Sequence, residues 1–347
     1  MKSPLVSIIL VTYNSEEYLE ACLVSLYSNI YPQFEVIIVD NNSSDNTKKI
    51  ILKYQKKFPN KSVVSFNSQN LGYAKANNAA IAMARGDLFF VINPDTIVDK
   101  NFLTPLVNEI NEKNIAAVQP LVYLFDKKTI NLTGKVTHYL GFDWLRDFNQ
   151  VRIPKKSELF SLSGSGVLLN KKDFLEAGGF DEFYFMYYED SDLSWKFNLL
   201  DKKMVFAPKS ILFHDYKYIP KETYQPLQKK LFYIERNRIV TILKNYSIKT
   251  LLLLLPMFIF MELGMLIFAF FDRWGTTKLR TYMSILKSYK HIVEKRSFIQ
   301  SKRKVADSTI FKQFESAITF EKFSNPLIKY VVNPILHIYF IIIEKIV

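Results

Sequence analysis

Cysteine is almost absent from this chain of 347 residues: Cys22 stands alone, so no intrachain disulfide can form, a pattern compatible with a reducing compartment. Cys22 falls among Leu19, Leu23 and Leu26 at helical spacing, which predicts a buried thiol. No series of basic, apolar and small residues precedes the first apolar run, so the N-terminus is expected to be cytosolic. Internal repeats and low-complexity tracts are missing as well. Acidic residues are too few to balance the basic ones, 33 against 46, leaving a net charge of +13. That excess points to an anionic partner, either nucleic acid or a membrane surface. The basic residues gather beside apolar segments rather than along a separate track, which fits lipid headgroups better than a phosphate backbone. No nucleic-acid partner is therefore expected.

What is present begins with Val6 to Asn14 (VSIILVTYN) and Val36 to Thr47 (VIIVDNNSSDNT), each an apolar, β-branched run passing into a polar cluster. Such runs, separated by helical patterns such as Ser15 to Asn29, predict buried parallel strands whose C-terminal ends face a ligand crevice. A third unit follows, with a glycine loop and alanine-rich helix over Asn70 to Gly86 and a strand over Asp87 to Asp95 (DLFFVINPD). Asp95 is expected at the same sheet edge, where a carboxylate can hold a divalent cation completed by substrate phosphates and water. Asn93-Pro94-Asp95 also reads as an ordinary turn.

Ser163 to Phe197 places three acids, Glu189, Asp190 and Asp192, after a glycine-rich turn and the aromatics Phe183, Phe185, Tyr187 and Tyr188. Acids packed against such rings are desolvated, which raises carboxylate pKa values toward general-base duty. The competing reading is a helix start whose first-turn acids complement the dipole. His214 ends a further apolar run, Lys209 to Phe213, where an imidazole serves equally well as a metal ligand or as a structural group.

In their order along the chain, Thr12-Tyr13-Asn14, Asp40 in VDNNSSDNT, Asn70-Leu71-Gly72 with Asn77, Asn93-Pro94-Asp95, Gly178-Gly179-Phe180-Asp181 and Glu189-Asp190 resemble the family 2 glycosyltransferases. The resemblance covers about Ser3 to His214, and YFMYYEDSDL with NPD is closest in style to rhamnosyltransferase-type members. It implies an α/β, Rossmann-like GT-A fold and an inverting transfer from a dTDP- or UDP-linked sugar to a hydroxyl of a lipid-linked or cell-surface glycan. Asp190 would be the general base; Asp95, with His214, would hold Mn or Mg. Thr12, Tyr13, Asn14, Asp40, Asn42, Gly72, Asn77 and Asn93 would serve the donor, with Asp40 accepting from the pyrimidine N–H. Gly179, Asp181 and Glu189 would lie on the acceptor side. Transfer to a polyprenyl or dolichyl phosphate, and a scaffold on a degenerate GT-A fold, are the alternatives. A processive synthase is disfavoured by the lack of a QxxRW motif and of several long spans.

The remainder divides the chain into a catalytic domain over 1–219 and a helical module over 220–347. Leu251 to Phe271 carries one charge, Glu262, and is long enough to cross a bilayer core. Both flanks are basic, so the positive-inside rule opposes a simple span. A shallow hairpin bending near Pro256 or Gly264, with Glu262 spared the bilayer middle, is the favoured expectation, with a true span and a soluble core helix as the alternatives. Lys278 to Lys304 predicts a basic amphipathic helix suited to an anionic lipid surface. Pro326 to Val347 predicts a second membrane contact or a helix that covers the hydrophobic segment or a partner subunit. Together these place the protein on the cytoplasmic face of the membrane.

Overall fold

The computed structural model describes residues 3–215, 224–319 and 326–347. Two compact units emerge: Met1–Lys135 with Leu145–Phe197 and Lys202–Lys217, and Val136–Trp144 with Asn198–Asp201 and Tyr218–Val347. The boundary expected at 219/220 lies outside the described residues.

The first unit is built on a mixed sheet. Its strands are β1 (Val6–Thr12), β2 (Phe34–Asp40), β3 (Ser62–Phe66), β4 (Leu88–Ile92), β5 (Thr96–Val98), β6 (Ile115–Leu124) and β7 (Ile130–Leu132). After a separate ribbon, β8 (Lys135–Thr137) and β9 (Asp143–Leu145), most of which belongs to the second unit, come β10 (Ser157–Glu158), β11 (Gly166–Asn170) and β12 (Lys203–His214). The main order is β10-β12-β6-β11-β4-β1-β2-β3, with β5 paired to β12 and β7 to β6. β1, β2, β3 and β4 are parallel; β1, β2 and β4 are buried and mostly apolar on both faces because helices cover both sides, whereas β3 at the sheet edge is only partly buried. Those helices include α1 (Leu19–Tyr27), α2 (Thr47–Lys57), α3 (Tyr73–Ala82) and α4 (Leu103–Ile110). Cys22 is fully buried on α1 as expected, and burial pushes its thiol well above its usual range.

Register positions the site. Thr12 pairs with Asp40 at the ends of β1 and β2, while β4 stops opposite Leu10. β11 runs antiparallel to β4 with Gly166 opposite Ile92, so the preceding Ser163–Ser165 turn lies beside Asn93–Asp95. β12 is antiparallel to β5 with His214 opposite Thr96. The unit is completed by α5 (Lys171–Glu176) and α6 (Glu189–Leu199), the latter opening on Glu189, Asp190 and Asp192 and burying Leu193, Trp195 and Phe197.

The second unit contains α7 (Tyr224–Asn245), α8 (Ile248–Phe271), α9 (Gly275–Lys287), α10 (Tyr289–Lys302), α11 (Asp307–Phe311) and α12 (Asn333–Glu344). α8 is one continuous helix, so the expected hairpin at Pro256 or Gly264 does not form. The reason is that Glu262 needs no bend to escape apolar surroundings: Arg238 and Lys278 pair with its two carboxylate oxygens. Ser247 caps α8 by accepting from Thr250 N, and Asp307 accepts from Ser247 N at 2.8 Å. The amphipathic helix expected over 278–304 is broken at Ser288 into α9 and α10, and Lys278 is fully buried rather than facing solvent. α12 covers α8: Tyr339 donates to Leu253 O at 2.6 Å and Lys249 to Ile346 O at 2.7 Å.

Candidate active site

Strand ends, one turn and the start of α6 converge at the C-terminal edge of the parallel strands. Asp190 is the best-held carboxylate there. Its Oδ1 accepts from Lys135 Nζ at 2.6 Å and from Ser191 N at 2.8 Å; its Oδ2 accepts from Gly164 N at 2.8 Å. Gly164 O in turn accepts from Tyr73 Oη at 2.9 Å, and Thr96 Oγ1 donates to Ser165 O at 3.4 Å. The glycine turn thus ties the base candidate, α3 and the start of β5 into one constellation. Lys135, Tyr73 and Gly164 escaped the sequence reading; only the glycine-rich turn gave a signal for any of them.

The backbone entering α6 is strained. Phe185, Tyr187 and Tyr188 all take left-handed φ values, 60°, 64° and 69°, each costing about 1–3 kcal/mol for a bulky residue. Such strain persists only where surrounding contacts over-determine it, and it concentrates at functional sites. Here Phe185 O accepts from Tyr73 N at 2.5 Å. Gly72, itself at φ +81°, lies so close that an added Cβ would sit 2.5 Å from the Phe185 ring and 2.6 Å from its carbonyl oxygen. Gly72→Ala is therefore expected to destabilise the fold by at least about 1–3 kcal/mol from the backbone alone, measured by denaturant unfolding; an unchanged midpoint would refute this packing.

Glu189 carries the perturbed pKa. Burial, followed by the adjacent Asp190, pushes its carboxyl up to about 8, and Oε2 makes no hydrogen bond among the described residues. The folded chain holds this proton more tightly than the unfolded chain does, so the group's contribution to stability is present at low pH and declines as pH rises from about 4.5 to about 8. Glu189→Gln should flatten that slope and be more stable than the parent above pH 8, read from thermal unfolding across pH. A parallel slope in both proteins would argue against a buried neutral Glu189.

On the donor side the expected residues separate into two groups. Thr12, Asp40 and Asn77 are fully buried. Asp40 accepts from Thr12 Oγ1 at 3.1 Å, Ser43 N at 3.0 Å and Ser43 Oγ at 2.5 Å, and Asn77 Nδ2 donates to Tyr73 O at 2.9 Å. Thr12 and Asp40 thus satisfy each other at the strand ends, while Asn77 Oδ1 on α3 is a buried acceptor without a hydrogen-bond partner among the described residues. Tyr13 is half exposed, while Asn14 and Asn42 are exposed and take left-handed φ values of 48° and 68°. Asn41 is the unanticipated organiser: it donates to Asn70 Oδ1 and Gly72 O and accepts from Leu71 N and Asn67 Nδ2, fixing the 67–72 loop. Gly179 and Asp181, expected near the acceptor, serve chain geometry. Gly179 takes φ +67° and accepts from Lys196 Nζ, while Asp181 caps the turn over Glu182–Tyr184.

Asp95 and His214 meet as the register requires, with Oδ1 and Nε2 3.3 Å apart. In the tautomer whose Nδ1–H donates to Asn131 Oδ1 at 2.9 Å, Nε2 turns a lone pair toward Asp95. Asp95 Oδ1 and Asn93 Oδ1 are buried acceptors without hydrogen-bond partners among the described residues. Facing lone pairs at this spacing suit a cation; adjacent ligands of Mg at about 2.0–2.1 Å lie about 3 Å apart. No cluster of three or more His, Cys, Asp or Glu ligands occurs among the described residues. The pair therefore fits a cation that keeps water and substrate oxygens rather than an all-protein cage.

Residues 7–177 match Glycosyl transferase family 2. The chain is 25% identical over 209 residues to glycosyltransferase GlyG of Streptococcus pneumoniae serotype 4, covering 59% of this chain and 68% of that one. It is 28% identical over 233 residues to the N-acetylglucosaminyl-diphospho-decaprenol L-rhamnosyltransferase of Mycobacterium tuberculosis, covering 60% and 75%. Among solved structures, GalNAc-T7 with UDP, GalNAc and Mn2+ superposes with a TM-score of 0.57 at 17% identity, over 69% of this chain and 47% of that one. This chain thus spans about half of that structure, and the likeness speaks for the fold. With the sheet order and the edge constellation described above, these matches identify residues 7–177 as a glycosyltransferase family 2 domain on a GT-A fold.

Proposed function

We propose that this protein is an inverting glycosyltransferase that moves a sugar from a UDP- or dTDP-linked donor to a hydroxyl of a lipid-linked glycan at the cytoplasmic face of a membrane. The observation that carries this reading is the Asp190 carboxylate, fixed by Lys135 and Gly164 N–H at the sheet edge that also holds Asp95 and His214. Asp190 takes the acceptor proton as the acceptor oxygen attacks the anomeric carbon, and the bond to the diphosphate breaks in the same displacement. Lys135 and the Gly164 N–H hold that carboxylate in place, so little reorganisation is needed at the moment of transfer. Asp95 and His214 would hold Mn or Mg, which when bound offsets charge on the leaving diphosphate. Tyr13, Asn14 and Asn42 are the exposed residues left to meet the nucleotide, with Thr12, Asp40, Asn77 and Gly72 as supports and Asn93 near the diphosphate. Glu189, a neutral acid at moderate pH, is suited to donate a hydrogen bond on the acceptor side.

Two relationships support the choice of substrates. The mycobacterial relative is named for rhamnosyl transfer to N-acetylglucosaminyl-diphospho-decaprenol, and the GalNAc-T7 structure contains UDP with Mn2+. The deciding experiment is thermal stabilisation of detergent-purified protein by a panel of nucleotide sugars with and without Mn or Mg. A donor at about 100 times its Kd should stabilise by about 2.7 kcal/mol, and Asp95→Ala should abolish the metal-dependent part. Stabilisation indifferent to metal and to Asp95 would remove that residue from the metal role, and silence across the panel would count against the transferase reading.

A further inference from the structure

We infer that α8, α9 and α12 form a monotopic seat on an anionic lipid leaflet, with α8 lying along the surface and both its ends on the same side. This rests on the membrane location proposed above and adds to it how the chain meets the bilayer.

Length does not decide between spanning and lying flat. α8 is the one helix among the described residues long and apolar enough to cross, and its 24 residues extend ~36 Å. The charges behind it decide. Glu262, near the middle of the apolar run, pairs with Arg238 of α7 and Lys278 of α9, and Glu235 of α7 pairs with both cations. Tyr282 of α9 adds a hydrogen bond to Glu262 Oε2 at 2.8 Å. All four charged side chains are buried. If α8 crossed a bilayer with this set intact, α7 and α9 would have to enter the hydrocarbon beside it. Both carry further charge, with Lys230 and Arg236 on α7 and Arg280 and Lys287 on α9. If α8 crossed alone, Glu262 would go unpaired into the bilayer interior and two buried cations would lose a partner.

Lying flat requires neither. α8 buries one stripe, Leu254, Met257, Met261 and Glu262, and exposes another, Leu252, Leu255, Ile259, Leu263 and Ile267. α12, packed on α8, exposes Ile335, Ile338 and Ile342, and α9 exposes Leu279, Met283 and Leu286. So much exposed aliphatic surface on mutually packed helices marks an interaction face. Its rim chooses the partner. Arg280 and Lys287 follow directly on Leu279 and Leu286, Lys290 follows Tyr289, and all three cations are exposed. Apolar stripes edged by cations are the pattern of helices that sit in an anionic interface, where the acyl boundary takes the aliphatics and headgroups take the charges. A second copy of this chain would bring the same positive rim against itself.

The test uses the full-length chain. In a Cys22→Ser background, Lys249→Cys and Arg273→Cys place one thiol at each end of α8, both at exposed positions. Each is labelled with a membrane-impermeant maleimide in sealed inside-out vesicles and in intact spheroplasts of an expressing bacterium. Both thiols should react in the inside-out vesicles and both should lose their label in spheroplasts. Reaction of one end in each preparation would establish a span and overturn the inference while leaving membrane association standing. A separate flotation assay with preformed vesicles addresses association itself. Purified protein should float with phosphatidylglycerol-containing vesicles, and Lys287→Gln with Lys290→Gln should weaken partitioning on the order of tenfold. Equal partitioning on purely zwitterionic vesicles would overturn the anionic-leaflet assignment. Failure to float on either vesicle, with a dimer in solution, would overturn the lipid seat and the membrane location together.

Discussion

Asp190→Asn should lower sugar transfer by roughly 10²–10⁴-fold, the range that a positioned general base supplies, while leaving donor affinity nearly unchanged. The substitution is isosteric, but the site has no place for an amide. One oxygen of Asp190 accepts from the Lys135 ammonium and Ser191, the other from Gly164 N–H. An asparagine can present its oxygen to only one side and must set its NH2 against a donor on the other. The carbonyl is expected to stay with Lys135, because a charged donor is the costlier one to leave unmatched. Gly164 N–H then loses its acceptor, and the turn that also receives Tyr73 loosens at an expected cost of about 1–3 kcal/mol. That cost falls on stability, whereas the missing base falls on kcat, so the two can be read separately by unfolding and by single-turnover transfer. Lys135→Met should also slow transfer, by less, since the carboxylate survives and loses only its orienting charge. Loss of donor affinity in Asp190→Asn equal to its loss of rate would contradict the base assignment.

How far the sequence led follows from where each signal lives. The parallel strands were legible because β1, β2 and β4 are apolar on both faces, a pattern few other structures produce. Asp95 and His214 were each visible as polar ends of apolar runs. Their 3.3 Å approach was not visible, because it depends on the antiparallel register of β12 against β5, a pairing made across more than a hundred residues. Lys135 carries no motif at all; it reaches Asp190 from 55 positions away. Thr12 and Asp40 were legible as polar ends of apolar strands; that their side chains bond each other in the interior was not. The same limit explains the helical unit. Periodicity over 278–304 gave no sign that Lys278 is buried, because spacing along one helix says nothing about acids supplied by two others.

Those acids make Arg238→Met the most destabilising change expected in the helical unit, about 3–5 kcal/mol, the cost of removing one partner from a buried ionic set. The arginine is fully buried, donates to Glu235, Glu262 and Leu140 O, and stacks its guanidinium 4.2 Å from the Phe142 ring centroid. Without it two carboxylates compete for Lys278 alone. Glu262→Met should cost less than Arg238→Met, since it removes an acid and leaves Glu235 to serve both cations. The informative variant combines them. Arg238→Met with Glu262→Met leaves the balanced pair Lys278 and Glu235, whose ion contact is already made. Methionine can fill the vacated space with apolar contacts, and replacing buried ion pairs by well-packed apolar groups is often neutral. The double variant should therefore recover much of the loss, with a coupling energy on the order of 1–3 kcal/mol in a double-mutant cycle. Hydrogen exchange of the α7 and α9 amides in detergent would report it within this unit. Strictly additive losses would mean that the four charges act as separate pairs, and would remove the reason for α8 to stay fastened to α7 and α9 when it meets a bilayer.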